Sequence, residues 1–393
     1  MAPQEEEKNE TMQRKRSKSS SSLSIPLDIT TEIFLKLPAK SVSRFRCVSK
    51  LWSSIPTSPY FTNSFETRPN LLFFFKEGNR FFVVTIPNPN RRPSESLSYT
   101  SSEILDSYQI SYPKHSCLTI KTESVHGLIC FQRGTKPTVW NPTMRKFKPL
   151  LKPDKSWESL TVFLGYDPVE RKHKVVSMTC DQASDECRVL TLGSDQESWR
   201  TVKTNYKHLP FRGKRKDNYG PCRCINGVLY YQAEIGPHLV IMTFDLKSEK
   251  FHAIKLPWDV EFSPKMMISY KGKLAYLGHS DGKNSLLMWV LEDAKKGEWS
   301  NYDFLPLSHY DRSSETHFKL IGITNDGELI YAPYMVFESF DVIYIDPIRK
   351  TFRRVKYKGV ADKGFRQRNG LEEHKPIRGI QYSPNHVDTL ISL

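Results

Sequence analysis

Two consecutive helical patterns in residues 25–61 constrain the fold of this chain more than any other stretch. Ile29, Ile33 and Leu37 recur every four residues, so a helix would place them on one face. Pro26 suits the first turn of that helix, where its missing N–H costs nothing. The spacing therefore predicts a short amphipathic helix with a large apolar face.

A second helical pattern begins after Pro38, which either ends the first helix or starts the next. Its apolar residues are three or four positions apart: Val42, Phe45, Val48, Trp52 and Ile55. Ser49 can cap a helix within it, and Pro56 and Pro59 are expected to stop it. A unit of roughly 40 residues buries little surface, and its exposed apolar faces indicate a partner. Packing on a downstream domain of the same chain is the alternative that the pattern leaves open.

The residues of this stretch resemble a plant-type F-box, with Ile25 where Leu is commoner. The matching positions are Ile25, Pro26, Asp28, Glu32, Ile33, Leu37, Pro38, Lys40, Ser41, Val42, Arg44, Phe45, Arg46, Val48, Ser49, Lys50 and Trp52. The resemblance implies a three-helix unit that docks on a Skp-type adaptor, and through it on a cullin ubiquitin ligase. On this reading the residues that divide between adaptor contact and internal packing are Pro26, Leu27, Ile29, Ile33, Leu37, Pro38, Val42, Phe45, Val48 and Trp52.

Composition limits the number of domains, the cellular compartment and the kinds of site that the chain can have. With 393 residues the chain has room for two or three domains, and its 12% aromatic content favours strands over disorder. No apolar run approaches the roughly 18–20 residues that span a membrane, and the start lacks a secretory leader. The seven cysteines are odd in number and widely spaced, so we expect reduced thiols in the nucleus or cytoplasm. Cys222 and Cys224 lack a second pair at zinc-finger spacing, so we expect no metal site and no cofactor.

Four segments follow from the change in composition along the chain. Residues 1–23 form a polar, disordered tail, residues 24–61 the F-box, residues 62–68 a linker and residues 69–393 a β-domain. In the tail, the basic run from Arg14 to Lys18 is either a nuclear import signal or nucleic-acid arm, or simply a solvated tail. In the β-domain, Gly78-Asn79 between two apolar runs predicts a hairpin, and residues 87–115 a long loop.

From about residue 123 a two-part pattern recurs. One part is a short strand that starts at a glycine, seen at Gly127, Gly227, Gly272 and Gly327. The other is an Asn or Asp turn, often followed by Pro, after which an aromatic residue returns the chain to the sheet. About six units of roughly 45–50 residues result, a period typical of propeller blades. The predicted fold class is therefore α + β multidomain, a small three-helix F-box followed by an all-β, propeller-like domain. A β-sandwich or irregular β-domain is the alternative.

This β-region resembles the F-box-associated domain that follows plant F-boxes. The supporting segments are Trp140-Asn141-Pro142-Thr143, Gly165-Tyr166-Asp167-Pro168, Phe244-Asp245 and Tyr344-Ile345-Asp346-Pro347. The resemblance implies that the β-domain binds a protein substrate, whose contact residues are unknown.

Catalytic motifs are missing from the sequence: we find no P-loop, dinucleotide fingerprint, metalloprotease motif or nucleophile elbow. Asp167, Asp245 and Asp346 share one place in the repeat, which indicates turn formation rather than acid chemistry. The basic run Arg212–Lys216 reads as a solvated loop or as a contact for nucleic acid or an acidic protein. The net charge of +15 is spread along the chain, so nucleic-acid binding is not expected.

The sequence thus predicts a non-catalytic substrate-recognition subunit of an SCF-type cullin ubiquitin ligase. Its partners would be a Skp-type adaptor, a cullin through that adaptor, and an unidentified protein substrate. The first alternative is a propeller interaction protein that acts outside a ubiquitin ligase. An RNA-binding propeller and an enzyme on a propeller are further alternatives.

Overall fold

The computed structural model describes residues 25–37, 39–65, 69–88, 99–103, 106–111, 123–194, 197–211, 222–257, 266–279, 285–312 and 317–393. The predicted tail 1–23 and the basic run Arg212–Lys216 lie outside these residues. Short helices come first, and an all-β region arranged as a propeller-like ring follows. This arrangement confirms the predicted fold class.

The N-terminal unit is built from short helices: α1 Leu27–Lys36, α2 Ala39–Phe45, α3 Lys50–Ser54, a 3-10 turn Ile55–Thr57, and α4 Pro59–Phe65. As predicted, Ser49 caps α3, where its Oγ accepts a hydrogen bond of 3.1 Å from the Trp52 N–H. Pro59 begins a helix rather than stopping one. Helix α4 extends four residues into the range predicted as a linker, because Phe61 and Phe65 stack at 5.0 Å within the helical core.

The described strands are short. In chain order they are β1 Asn70–Glu77, β2 Arg80–Pro87, β3 Tyr99–Glu103, β4 Asp106–Ser111, β5 Ile129–Arg133, β6 Lys136–Asn141, β7 Lys146–Pro149, β8 Leu160–Asp167, β9 Lys172–Thr179, β10 Ser184–Thr191, β11 Arg200–Pro210, β12 Cys222–Ile225, β13 Val228–Ile235, β14 His238–Asp245, β15 Phe251–Lys255, β16 Met266–Tyr270, β17 Lys273–His279, β18 Leu286–Asp293, β19 Glu298–Phe304, β20 Phe318–Ile323, β21 Leu329–Pro333, β22 Phe340–Asp346, β23 Thr351–Lys358 and β24 Gln381–His386. Two further helices are α5 Leu307–Tyr310 and α6 Lys363–Asn369.

The strands pair into up-and-down units that follow one another around the ring. The sheets are β24-β1-β2-β4, β5-β6-β7, β16-β17-β18-β19, β20-β21-β22-β23 with β3 added, and a larger sheet in which β8–β11 and β12–β15 join through a short β11–β13 pairing. Around the ring β5 contacts β8, β8 contacts β12, β12 contacts β16, β16 contacts β20, and β20 contacts β24. The ring closes because β24, from the end of the chain, pairs with β1.

The predicted hairpin at Gly78-Asn79 is confirmed, since β1 and β2 pair from Asn70–Pro87 up to Glu77–Arg80 across a two-residue turn. Its apolar residues are consecutive because both faces of the sheet are buried. Phe73 and Phe75 pack into one hydrophobic cluster, and Phe74 packs into another on the opposite face. A strand that is buried on both faces therefore lacks the alternation of apolar and polar residues that a half-exposed strand shows.

Residues 87–115, predicted as a long loop, contain β3 and β4. Strand β4 is the outer strand of its sheet, and only Tyr108 and Ile110 of it pack toward the core. Strand β3 pairs in parallel with β23, some 250 positions away along the chain. A serine-rich segment with few apolar residues therefore forms strands because a neighbouring edge is available.

The Asx side chains form turns, as predicted. Asn141 Oδ1 accepts from the Met144 N–H at 3.0 Å, and Asp167 Oδ1 from the Val169 N–H at 2.9 Å. Asp245 Oδ1 accepts from the Ser248 N–H at 2.6 Å in the same way. These side-chain oxygens, one amide and two carboxylates, are occupied by backbone donors, which explains their recurrence without invoking acid chemistry.

The two ends of the ring differ. The turns between the first and second strands of neighbouring units lie beside one another: His126 stacks on Tyr166 near the end of β8 at 3.8 Å, and Asn226 Nδ2 donates to the Gly272 carbonyl at 3.2 Å. In the β5-β6-β7 sheet the bridge Val125–Leu128 takes the place of the first strand, so β5 counts as the second strand of its unit. We call this end the turn face; it carries residues 126–127, 168–171, 226–227, 271–272 and 326–327. Consecutive loops of an antiparallel meander alternate between its ends. The loops between second and third strands therefore lie at the other end, the open face, which carries residues 78–79, 134–135, 180–183, 236–237 and 334–339.

Candidate functional site

The helical unit has its own core. Phe34, Val42 and Phe61 are almost fully buried in it, together with Leu35, Ala39, Ile55 and Phe65. The rings of Phe34, Phe45 and Trp52 form a triangle with centroids 5.2–5.6 Å apart, in tilted and edge-to-face contacts. Four of the residues predicted to bind the adaptor or pack internally contribute to this core: Val42 is buried, and Leu37, Phe45 and Trp52 pack against it.

The same helices leave a second set of apolar side chains in solvent. The exposed fractions are 43–61% for Ile25, Leu27, Ile29, Ile33, Val48, Leu51 and Tyr60. Among the predicted residues, Leu27, Ile29, Ile33 and Val48 belong to this set, and Pro26 is exposed beside them. Pro38 lies outside the described residues. So much exposed apolar surface on so small a unit is typical of a protein-binding site, and the adaptor role of each residue stays a prediction.

Helix α1 is apolar on both sides, which explains how the two sets separate. Thr30 and Phe34 face the core, and the Thr30 hydroxyl donates to the Pro26 carbonyl at 3.0 Å. Ile29 and Ile33, one turn apart, face outward. Ile25, Leu51 and Tyr60 were absent from the predicted set. For Leu51 and Tyr60 the reason is that spacing alone does not show which side of α3 and α4 is covered.

The chain after β24 connects the helical unit to the propeller. Asn141 Nδ2 donates to the carbonyls of Thr389 and Ile391 at 3.3 and 2.9 Å, and Thr143 Oγ1 donates to Asp388 Oδ1 at 2.9 Å. Leu390, between these anchors, packs against the core of the helices. Asn141 and Thr143 belong to a turn between third and fourth strands, so the helical unit meets the propeller at the turn face.

A cavity of about 160 Å³ lies among the inner strands of the ring. Arg223 Nε lies 3.1 Å from Glu123 Oε2 within it, and burial raises the pKa of the Glu123 carboxyl. Asn385, also in the lining, donates from Nδ2 to the Ile323 carbonyl at 2.7 Å. The cavity is smaller than the roughly 300–1,000 Å³ typical of ligand pockets, and its main charges pair with each other. It suits water or one small polar group.

A serine–histidine contact lies near the same strands. Ser124 Oγ lies 2.8 Å from His386 Nδ1, but the His386 ring is fully buried. Burial lowers the pKa of His386 to about 4. The imidazole therefore serves to join neighbouring strands rather than to activate a nucleophile.

In the described ranges, no group of three or more His, Cys, Asp or Glu side chains is placed to hold a metal ion. None of the helices described above has the length and apolar content needed to cross a bilayer.

Comparison with known proteins agrees with this architecture. Residues 22–64 match the F-box domain, and residues 70–387 match the F-box associated beta propeller domain. An F-box protein of Arabidopsis thaliana is 75% identical over 371 residues, 94% of this chain and 93% of its own length. A second Arabidopsis thaliana F-box protein is 37% identical over 381 residues, 95% of this chain and 92% of its own. The chain therefore belongs to the plant F-box proteins that carry an F-box-associated β-propeller domain.

Proposed function

We propose that this protein is the substrate-recognition subunit of an SCF-type cullin ubiquitin ligase, acting in the nucleus or cytoplasm. The F-box docks on a Skp-type adaptor, and the β-domain holds a protein substrate. The observation that carries the proposal is the apolar surface that the F-box leaves exposed: Ile25 before α1, Leu27, Ile29 and Ile33 on α1, and Val48 and Leu51. Binding to an adaptor would remove this surface from water, which would stabilise the complex by about 25 cal/mol per Å² of apolar surface buried.

The protein would act through proximity. Chemistry belongs to the ligase partners, and this chain raises the effective concentration of a substrate lysine near the charged ubiquitin carrier. That role requires a fixed geometry between the two binding surfaces. The contact of Leu390 with the F-box core and the hydrogen bonds of Asn141 to the same segment support such a geometry.

A stepwise capture experiment tests the proposal. The full chain is immobilised and offered a Skp-type adaptor, a cullin, or both. We expect the adaptor to be retained alone and the cullin only when the adaptor is present. Failure to retain the adaptor would overturn the docking role. Retention of the adaptor without the cullin would favour an interaction protein that acts outside a ligase.

A further inference from the structure

We infer that the substrate docks on the open face of the propeller, through a short segment of apolar and aromatic side chains that packs on Tyr334, Met335 and Phe337. We call these three residues the ridge. The inference rests on the proposed function and specifies where, and by what chemistry, the β-domain holds its substrate.

The ridge lies in the loop between β21 and β22, and its side chains point into solvent. Tyr334 and Phe337 are each 51% exposed and Met335 is 39% exposed. Val336, between them, is buried and forms two backbone hydrogen bonds with Ile377, at 2.9 and 3.0 Å. The loop is therefore held at its buried residue, while about half of the surface of each large apolar side chain remains exposed to solvent.

A buried arginine holds the loop between β21 and β22 in place. Arg366 of α6 is only 2% exposed, and its side chain donates five hydrogen bonds of 2.5–3.2 Å, all to backbone carbonyls. These are all the N–H donors that a guanidinium has. The five carbonyls belong to Ala361, Glu372, Lys375, Val336 and Phe337. Burying a cation is costly unless it is fully hydrogen-bonded; here the five hydrogen bonds offset that cost, and they also hold three loop segments in one arrangement.

Such preorganisation is what a binding loop needs. A loop that is already ordered loses less conformational entropy when a partner binds. Tyrosine, phenylalanine and methionine are also enriched in protein interfaces. Lys319 has its Nζ 5.8 Å from the Tyr334 ring and donates to the Ile380 carbonyl, so this cation is already engaged inside the protein and the three ridge side chains present mainly apolar surface.

The size of the ridge favours a short peptide segment over a second copy of this chain. Three half-exposed side chains offer roughly 100 Å² each, since a whole aromatic side chain buries about 150–250 Å². The sum of roughly 300 Å² is far below the approximately 800 Å² per partner of a stable interface between folded proteins. The open face also lies at the opposite end of the ring from Leu390 and the F-box, so substrate and adaptor would not compete.

The test uses the full chain bound to the Skp-type adaptor, panned against a phage-displayed library of random linear peptides. An enriched peptide is then synthesised with a fluorescent label, and its affinity is measured by polarisation. The variants are Tyr334→Ala with Phe337→Ala, and a matched control, Val169→Ala with Ile348→Ala. The control removes two side chains, 63% and 66% exposed, from the turn face.

We expect the enriched peptides to share apolar or aromatic positions. The ridge variant should weaken binding by at least about tenfold, and the control should stay within about twofold of wild type. The inference would be overturned if no peptide is enriched, if the ridge variant binds as well as wild type, or if wild type forms a dimer that the ridge variant loses. Improved binding after deletion of residues 1–23 would overturn it in favour of the tail as occupant.

Two measurements on the same preparations separate the possible failures. Thermal unfolding of the ridge variant should match that of wild type, because both side chains are half-exposed already. Adaptor capture should be unchanged in every variant. Intact adaptor capture without peptide binding would refute the ridge alone, whereas loss of adaptor capture by wild type would refute the proposed function.

Discussion

Replacing Ile29 and Ile33 together by alanine should weaken adaptor binding about 30-fold. The two side chains are 49% and 43% exposed, and full burial of an isoleucine is worth about 1.5–3 kcal/mol. Burial of the exposed half of each side chain against an adaptor should therefore contribute about 1 kcal/mol to the binding free energy. The sum is about 2 kcal/mol, which corresponds to about a 30-fold change in Kd.

The assay is titration of the full chain with a Skp-type adaptor by calorimetry, beside thermal unfolding of the free chain. The unfolding temperature should change little, because neither side chain is in the F-box core. The turn-face variant Val169→Ala with Ile348→Ala is the matched control and should bind as wild type does. A Kd for the Ile29/Ile33 variant within about threefold of wild type would refute the assignment of this surface.

Further variants test the internal contacts. Val42→Ala should destabilise the F-box by about 2 kcal/mol, because Val42 is fully buried, and hydrogen exchange in α1–α4 would show it. Arg366→Met should lower the free energy of unfolding by at least about 3 kcal/mol, measured in denaturant, since five carbonyls lose the guanidinium donor and the hydrogen bonds to Ala361 and Val336 are fully buried. Leu390→Ala should raise exchange at the helices that it contacts and leave adaptor affinity within about threefold. His173 and His386 have pKa values lowered to about 4 by burial. The contribution of these two neutral imidazoles to the free energy of unfolding is therefore complete above the unfolded pKa of about 6.5 and is lost as pH falls towards 4. Stability should drop by about 1 kcal/mol for each between pH 7.5 and about 5.5, and a stability that is flat over this range would contradict it.

Much of the fold could be predicted because its signals are local. The Ser49 cap, the turn at Gly78 and the Asx turns at Asn141 and Asp167 depend on atoms within four residues of each other. Each propeller unit uses the same kinds of local turn, so the turn residues recur at regular intervals along the chain. The repeat could therefore be recognised without knowledge of the packing.

The remaining features depend on partners that are distant in sequence. Helix α1 has apolar residues on both sides, so only the packing of α2–α4 decides that Phe34 is inside and Ile33 outside. Strand β3 forms because β23 offers it an edge. Arg366 resembles a solvent-exposed helix residue in the sequence, and its burial requires carbonyls from three separate loops.

Hydrogen exchange of the full chain, with and without a Skp-type adaptor, tests the central claim most directly. We expect the adaptor to protect amides around Ile29, Ile33 and Leu51 and to leave exchange in the segment from Tyr334 to Phe337 unchanged. Protection of the open face by the adaptor, or an F-box whose exchange does not change, would contradict the division of the molecule into an adaptor-binding F-box and a free substrate face.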